Sequence, residues 1–361
     1  MYWTYKNPDR LPTETTPKPA RIRAVPAKTL RQPVFLLPAN RHFCVSIPPR
    51  TMNISFVIPA YNCQETFTET VESIFNGNFQ PGDEVLIVDD CSTDNTAQII
   101  AGLALEHRSI RLMSHRINKG TAAAGRNTAI EQAAHELVFC LDADNVLVPG
   151  SVARLKQYML DNQADAAAFG EIHFFKEVAG EKKIVYKTIF KPGAFTLADA
   201  LNTNYFIGQS GNYLFTKQSW IKAGRYFEPT LINQTLDSWT FTVRQLGTGA
   251  KLVKLPDTHY LHRRTDNSHW QREIKKGNVS LAALSGLMPF LDQIADEDVD
   301  YIFGPQTRHT WFDDLEKHPI RLKSGEASTG SAKIVEVNAH VKKLPLWKRL
   351  AAAVITELRR P

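Results

Sequence analysis

Residues 53–62 read NISFVIPAYN and residues 84–94 read EVLIVDDCSTD. Each is a short apolar run that stops on small or acidic residues, the pattern of a strand buried on both faces. Between them, Phe67, Val71, Ile74 and Phe75 fall at helical spacing. Ser92, Thr93 and Asp94 then offer N-caps for a helix running to Glu106. Residues 110–113 predict a third strand, 121–134 a third helix, and 137–141 (LVFCL) a fourth strand ending at Asp142. Alternating strands and helices predict an α/β fold with a largely parallel sheet and right-handed crossovers.

The second half is less regular. Residues 166–175, 183–190, 212–215 and 251–255 read as strands, and 238–246 and 267–287 as helices. The charge-free piece 279–291 is too short to span a bilayer and reads as core packing. Residues 322–341 are expected to form a linker, opened by LKSGEASTGSA at 322–332.

The chain has 361 residues, 43% hydrophobic and 22% charged, enough to bury a sizeable core. Its net charge of +6 is concentrated at one end. Residues 1–51 hold nine Lys/Arg, two Asp/Glu and nine of the 20 prolines, and read as a disordered basic leader. No apolar signal-peptide segment opens it, and a native start at Met52 is one reading of the pattern. The other 310 residues carry 34 Lys/Arg against 35 Asp/Glu, so no nucleic-acid partner is expected. Cys44, Cys63, Cys91 and Cys140 show no CxxC or zinc spacing, which fits a reducing cytoplasm.

In an open parallel sheet, ligands sit beyond the carboxyl ends of the strands. Here those ends read Pro59-Ala60-Tyr61-Asn62, Asp89-Asp90-Cys91-Ser92-Thr93-Asp94 and Asp142-Ala143-Asp144. Carboxylates gathered at one edge repel each other unless a cation or a donor-rich ligand joins them. Asp142 and Asp144, two residues apart, suit Mg²⁺ or Mn²⁺ bridging to phosphate oxygens. Asp94 reads better as turn and cap chemistry.

Together with NKGTAAAGRN (118–127), GNYLF (211–215) and HRRTDNS (262–268), these motifs resemble a family 2 glycosyltransferase over roughly residues 53–270. The resemblance implies a GT-A-type, Rossmann-like sheet. The expected layout is a nucleotide half at 52–146, an acceptor half at 147–270 and a helical extension at 271–321. It implies inverting transfer from a nucleotide-diphosphate sugar, with a UDP-sugar as the expected donor and a glycan or lipid-linked hydroxyl as acceptor. By that resemblance Pro59, Ala60 and Tyr61 border the nucleobase, and Asp89 and Asp90 contact base or ribose. Arg126 is a further nucleotide contact, Asp142 approaches ribose or metal, and Asp144 holds the metal with His262. Arg263 and Arg264 lie near the diphosphate, or form a solvated basic turn.

The expected base departs from the family's Glu-Asp pair. The matching stretch is Gln234-Thr235-Leu236-Asp237-Ser238-Trp239, with Arg244 beyond. One alignment puts Ser238 at the base and a one-residue shift puts Asp237 there. A serine is a poor base at neutral pH, so Asp237 is the expected base, with helix capping as its other reading.

Residues 342–361 (KKLPLWKRLAAAVITELRRP) place Trp347, Leu350, Val354 and Leu358 on one helical stripe among six Lys/Arg. A basic amphipathic helix is expected to touch an anionic membrane surface, which implies a peripheral location on the inner face of the membrane. A helix docked on the protein's own core is the other reading. A nucleotidyltransferase lacks support, because PAYN offers no Gly-rich phosphate loop, and GxGxxG is absent for a dinucleotide oxidoreductase. A non-catalytic nucleotide-sugar-binding or scaffolding relative stays open because of the altered base motif.

Overall fold

The computed structural model describes residues 52–202, 211–228, 236–264, 279–329 and 332–337. The basic leader, the 342–361 helix, residues 265–278 and Gln234-Thr235 lie outside the described residues.

The two opening runs form β1 (Ile54–Ala60) and β2 (Glu84–Asp89), connected by α1 (Phe67–Phe75). They pair in parallel, from Ser55 opposite Glu84 to Ala60 opposite Asp89. After α2 (Thr96–Glu106), β3 (Ile110–Ser114) pairs parallel to β2. After α3 (Ala122–Gln132), β4 (Leu137–Cys140) pairs parallel to β1. The order β4-β1-β2-β3 therefore brings the carboxyl ends of β1, β2 and β4 to one edge. These strands are buried on both faces because α1 and α3 cover them, which is why the apolar runs are continuous.

The rest of the sheet is mixed. After β5 (Val146–Leu147) and α4 (Ser151–Asp161), β6 (Ala166–Val178) and β7 (Glu181–Ile189) form a long hairpin. Then come β8 (Gly193–Phe195), α5 (Leu197–Ala200), β9 (Leu214–Thr216), α6 (Lys217–Lys222) and α7 (Asp237–Gly247). Strand β9 pairs antiparallel with both β4 and β6 and so joins the two halves. Strand β10 (Leu252–Arg263) lies parallel to β6 and runs on through the HR of the basic stretch. The expectation of a largely parallel sheet thus holds for β1–β4, whereas the acceptor half is built mainly from antiparallel pairs.

Helix α8 (Val279–Leu287), a 3-10 turn (Met288–Gln293) and α9 (Asp296–Phe303) follow. Trp311 and Phe312 pack on Trp239 of α7, at centroid distances of 6.5 and 5.0 Å. Each such buried aromatic contributes about 1.5–3 kcal/mol of apolar burial. The described residues belong to one compact unit, so the two expected halves and the helical extension are parts of a single body.

The expected linker is not one throughout. Ser328 and Thr329 hydrogen-bond the buried Asp199 carboxylate, Oγ of Ser328 at 2.8 Å and the Thr329 amide at 2.6 Å. Residues 333–336 form β11 (Lys333–Glu336), antiparallel to β7. Small polar residues read as a linker in sequence, but here their hydroxyls and amides satisfy a buried carboxylate. Among the described residues no helix is long and apolar enough to cross a membrane.

Candidate active site at the carboxyl edge of the sheet

The β1 and β2 ends turn sharply. Asn62 and Cys91 both take positive φ, 47° and 61°. The two turns lock together: the Asn62 amide donates to Ser92 Oγ at 3.0 Å, and the Thr93 amide donates to Asn62 Oδ1 at 2.8 Å. Asp94 accepts from the Thr96 amide at 2.9 Å, the turn chemistry its position predicts.

The expected nucleotide residues divide by environment. Tyr61 is half exposed (48%) at the rim. Ala60 is buried, and Pro59 lies beneath α3, where a Cβ on Gly125 would sit 2.9 Å from the Pro59 Cβ. Gly125 therefore lets α3 approach β1. Asp89 is buried and accepts from the Ser92 amide at 3.3 Å.

Asp90 departs from expectation. Its carboxylate accepts from the Lys119 amide at 3.0 Å and the Gly120 amide at 3.3 Å, and it bonds His115 Nδ1 at 2.6 Å. It is buried and anchors the 115–120 loop rather than presenting both oxygens to a ligand. Lys119 meets it through the backbone.

The centre of the site is Arg126, 3% exposed on α3. Thr121 caps that helix, accepting from the Ala123 amide at 3.1 Å. One guanidinium nitrogen of Arg126 donates to Asp142 Oδ1 at 2.5 Å, and the other donates to Asp237 Oδ2. The guanidinium lies 5.2 Å from the Tyr226 ring centroid. Burial alone would lower the Arg126 pKa, but Asp237 and Asp142 outweigh it and hold the cation charged. The next residue, Asn127, accepts from Trp220 Nε1 at 3.1 Å and the Tyr226 amide at 3.0 Å. The GRN triplet thus supplies close approach, charge and an anchor in consecutive residues.

Asp142 is clamped from two sides. Asn212 accepts from its amide at 2.7 Å and donates to its Oδ2 at 3.2 Å. Burial raises the Asp142 pKa above the usual carboxylate range, against the pull of Arg126. Gly211 is at φ +65°, and a Cβ there would meet Arg126 Nη2 at 2.6 Å, so the stretch needs glycine. Asn212 lies in the GNYLF motif, but its service to Asp142 is not readable from sequence; the GN pair beside a strand is its only signal.

Asp237 is the first residue of α7, where a carboxylate suits the helix dipole. Leu236 is the N-cap, so Asp237 does not cap the helix. Ser238 is buried, and its amide donates to Asp237 Oδ1 at 2.8 Å. Of the two alignments, the fold brings Asp237 and not Ser238 against Arg126.

Burial, and then the Asp142 charge, push Asp144 up to about 7 against the pull of Arg263. His262 lies 4.7 Å from Phe174 and 6.2 Å from Tyr260 by ring centroid. Its buried Nδ1 has no hydrogen-bond partner. Burial, and then Arg264, lower its pKa to about 4, leaving a neutral imidazole. The expected three-ligand set of Asp142, Asp144 and His262 does not converge. Among the described residues the only such trio within 4.8 Å is Glu72, Glu106 and His107, on the α1–α2 surface. Both oxygens of Asp142 are instead engaged by Arg126 and Asn212. Separately, Asp144 keeps a carboxylate destabilised by its neighbour and His262 a neutral imidazole with an orphaned nitrogen, and each is a donor type that suits a divalent cation.

Residues 55–222 match the family described as Glycosyl transferase family 2. The poly-beta-1,6-N-acetyl-D-glucosamine synthase of Staphylococcus epidermidis is 31% identical over 209 residues, covering 56% of this chain and 49% of that protein. The glycosyltransferase GlyG of Streptococcus pneumoniae is 26% identical over 254 residues, covering 65% of this chain and 82% of GlyG. The chain thus spans about half the length of the first relative and most of the second. By fold, the crystal structure of S. aureus TarS 1-349 in complex with UDP matches with a TM-score of 0.54 at 21% identity, over 73% of each chain.

Proposed function

We propose, from the match of residues 55–222 to glycosyl transferase family 2, that the chain is a member of that family and moves a sugar from a UDP-sugar to a hydroxyl of a cell-surface glycan or lipid-linked acceptor. Transfer proceeds with inversion. The observation that carries this reading is Arg126, which joins Asp142 on the nucleotide side to Asp237 on the acceptor side. One buried guanidinium bonded to both carboxylates fixes Asp237 relative to the nucleotide side, the kind of positioning an in-line displacement needs. The uridine choice is supported by the TarS fold match, whose solved structure holds UDP.

In this reading Tyr61 packs on the base at the rim, and Asp89 faces ribose or base. Asp237 accepts the proton of the attacking hydroxyl, an effect worth about 10²–10⁴-fold in rate. Arg126 orients that carboxylate through its hydrogen bond. Mg²⁺ or Mn²⁺ would be held by Asp144, with His262 as the other expected ligand, and would offset the charge on the leaving diphosphate as a Lewis acid. The setting is the cytoplasm, supported by the unpaired Cys63, Cys91 and Cys140.

The test is thermal stability with UDP, GDP, dTDP and CDP, each with and without Mn²⁺. A ligand at about 100 times its dissociation constant stabilises the fold by about 2.7 kcal/mol. The expected result is a shift with UDP, larger with Mn²⁺, whose Mn²⁺-dependent part is lost in Asp144→Ala. No shift with any nucleotide in a folded sample removes the donor reading. UDP binding without turnover on any acceptor favours the non-catalytic relative.

A further inference from the structure

Arg263 was expected near the diphosphate, yet its guanidinium is turned inward. Its side chain is 9% exposed and is directed to three elements at once. One terminal nitrogen pairs with Glu69 on α1 and the other with Glu177 on β6. Its Nε donates to the Asp144 carbonyl at 3.2 Å. Its own amide donates to Asn145 Oδ1 at 3.1 Å. The guanidinium lies 4.8 Å from the Phe175 ring centroid, so its rotation is restricted as well. Strand β10 carries it to this point, because Leu261 pairs with Val146 just beyond the acidic turn.

We propose that Arg263 is a positioning residue, which fixes the turn bearing Asp144 against α1 and β6 and makes no contact with the donor. This rests on the reading of Asp144 as the residue that meets the donor's metal-bound diphosphate. The turn is a short link between β4 and β5, and its amides hold few strand bonds. The Asn145 amide donates to the Asp142 carbonyl at 3.2 Å, and the Leu147 amide donates to Ser73 Oγ at 3.0 Å. Arg263 is the cation that bonds the middle of this turn. Its five donors in a fixed plane satisfy three acceptors in different directions, which the single ammonium of a lysine cannot do. Glu69 also pairs with Lys182, and Glu177 is about half exposed, so removing Arg263 leaves neither carboxylate stranded in the core.

The test compares the full chain with Arg263→Met, Arg263→Lys and Glu177→Gln in two measurements. The first is hydrogen–deuterium exchange without ligand. Arg263→Met is expected to speed exchange at least fivefold in peptides covering 142–147, with peptides covering 54–60 unchanged. Arg263→Lys and Glu177→Gln should fall between. Unchanged exchange at 142–147, or equal acceleration across β1, overturns the proposal. The second is calorimetric binding of UDP with and without Mn²⁺. Arg263→Met is expected to reduce the Mn²⁺ enhancement of UDP affinity about tenfold while metal-free affinity stays within twofold. An equal loss without metal would mean that Arg263 touches the diphosphate itself, against the proposal. If the unsubstituted chain binds no nucleotide, the donor reading fails, and exchange alone still decides whether Arg263 holds the turn.

Discussion

Arg126 shows how one residue organises the site. It is buried, charged and bonded to two carboxylates that lie 16 and 111 positions away in sequence. Replacing it with Met keeps the volume and leaves Asp142 and Asp237 facing each other without a cation. Breaking a buried pair by removing one partner costs about 3–5 kcal/mol. Both carboxylates keep some solvent contact, so urea denaturation of Arg126→Met is expected to show a loss near the lower end of that range. Arg126→Lys should recover only part of it, because one ammonium does not reach both carboxylates as a planar fork does. A loss below about 0.5 kcal/mol, the range of an ordinary surface change, would mean that the pairs are not linked as described.

The acidic residues at the strand ends were legible individually, and their partners were not. Spacing exposes Asp142 and Asp144 as a pair, since i and i+2 share a side in extended chain. It says nothing of Asn212, 70 residues on, which engages the Asp142 oxygen a metal would otherwise take. The partners of Asp90 are illegible for a related reason. Its ligands are mainly backbone amides at 119 and 120, and any residue type supplies an amide.

At the scale of elements, β1 to β4 were legible because helices on both faces make their apolar runs continuous. Strand β11 was not, because it is a short edge strand whose side chains are mostly exposed, and its sequence carries no alternation strong enough to read. The β6–β10 pair carries a pH-dependent feature of its own. His173 and His259 stack with centroids 3.6 Å apart, and His173 Nε2 lies 2.6 Å from Glu171. Burial, and then His173, lower the His259 pKa to about 4; Glu171 opposes this and Lys187 adds to it. Burial likewise lowers His173. An unfolded histidine titrates near 6.5, so between about 6.5 and 4 the unfolded chain binds more protons. Stability is therefore expected to fall as pH drops through that window. Denaturation midpoints measured from pH 7.5 to 4.5 should show this slope, and His259→Phe, which keeps the stack, should reduce it, leaving the share that His173 and the buried His262 carry. An unchanged slope in His259→Phe would assign the acid sensitivity elsewhere.

For the whole molecule, one edge of the sheet carries the chemistry and the chain's positive charge is concentrated at its ends. In sequence, the +7 of residues 1–51 and the +5 of residues 342–361 flank a stretch, 52–341, whose 28 Lys/Arg and 34 Asp/Glu leave it at −6. A basic stripe interleaved with Trp and Leu binds anionic lipid through combined apolar and electrostatic contact. The full chain is expected to sediment with anionic vesicles at low salt, and a chain ending at residue 337 to lose most of that binding. Equal sedimentation of the two would place any membrane contact outside the C-terminal stripe.

Asp237→Asn tests whether Asp237, held by Arg126 beside Asp142, is the base of a sugar transfer. The substitution is nearly isosteric and removes only the charge and the basic oxygen. The measurement is sugar transfer from UDP-sugar, set beside calorimetric UDP affinity of the same sample. The expected result is a fall in kcat of about 10²–10⁴-fold with UDP affinity within about threefold of the unsubstituted protein. Near-normal turnover by Asp237→Asn, with the same affinity, would contradict the account and remove Asp237 from the mechanism.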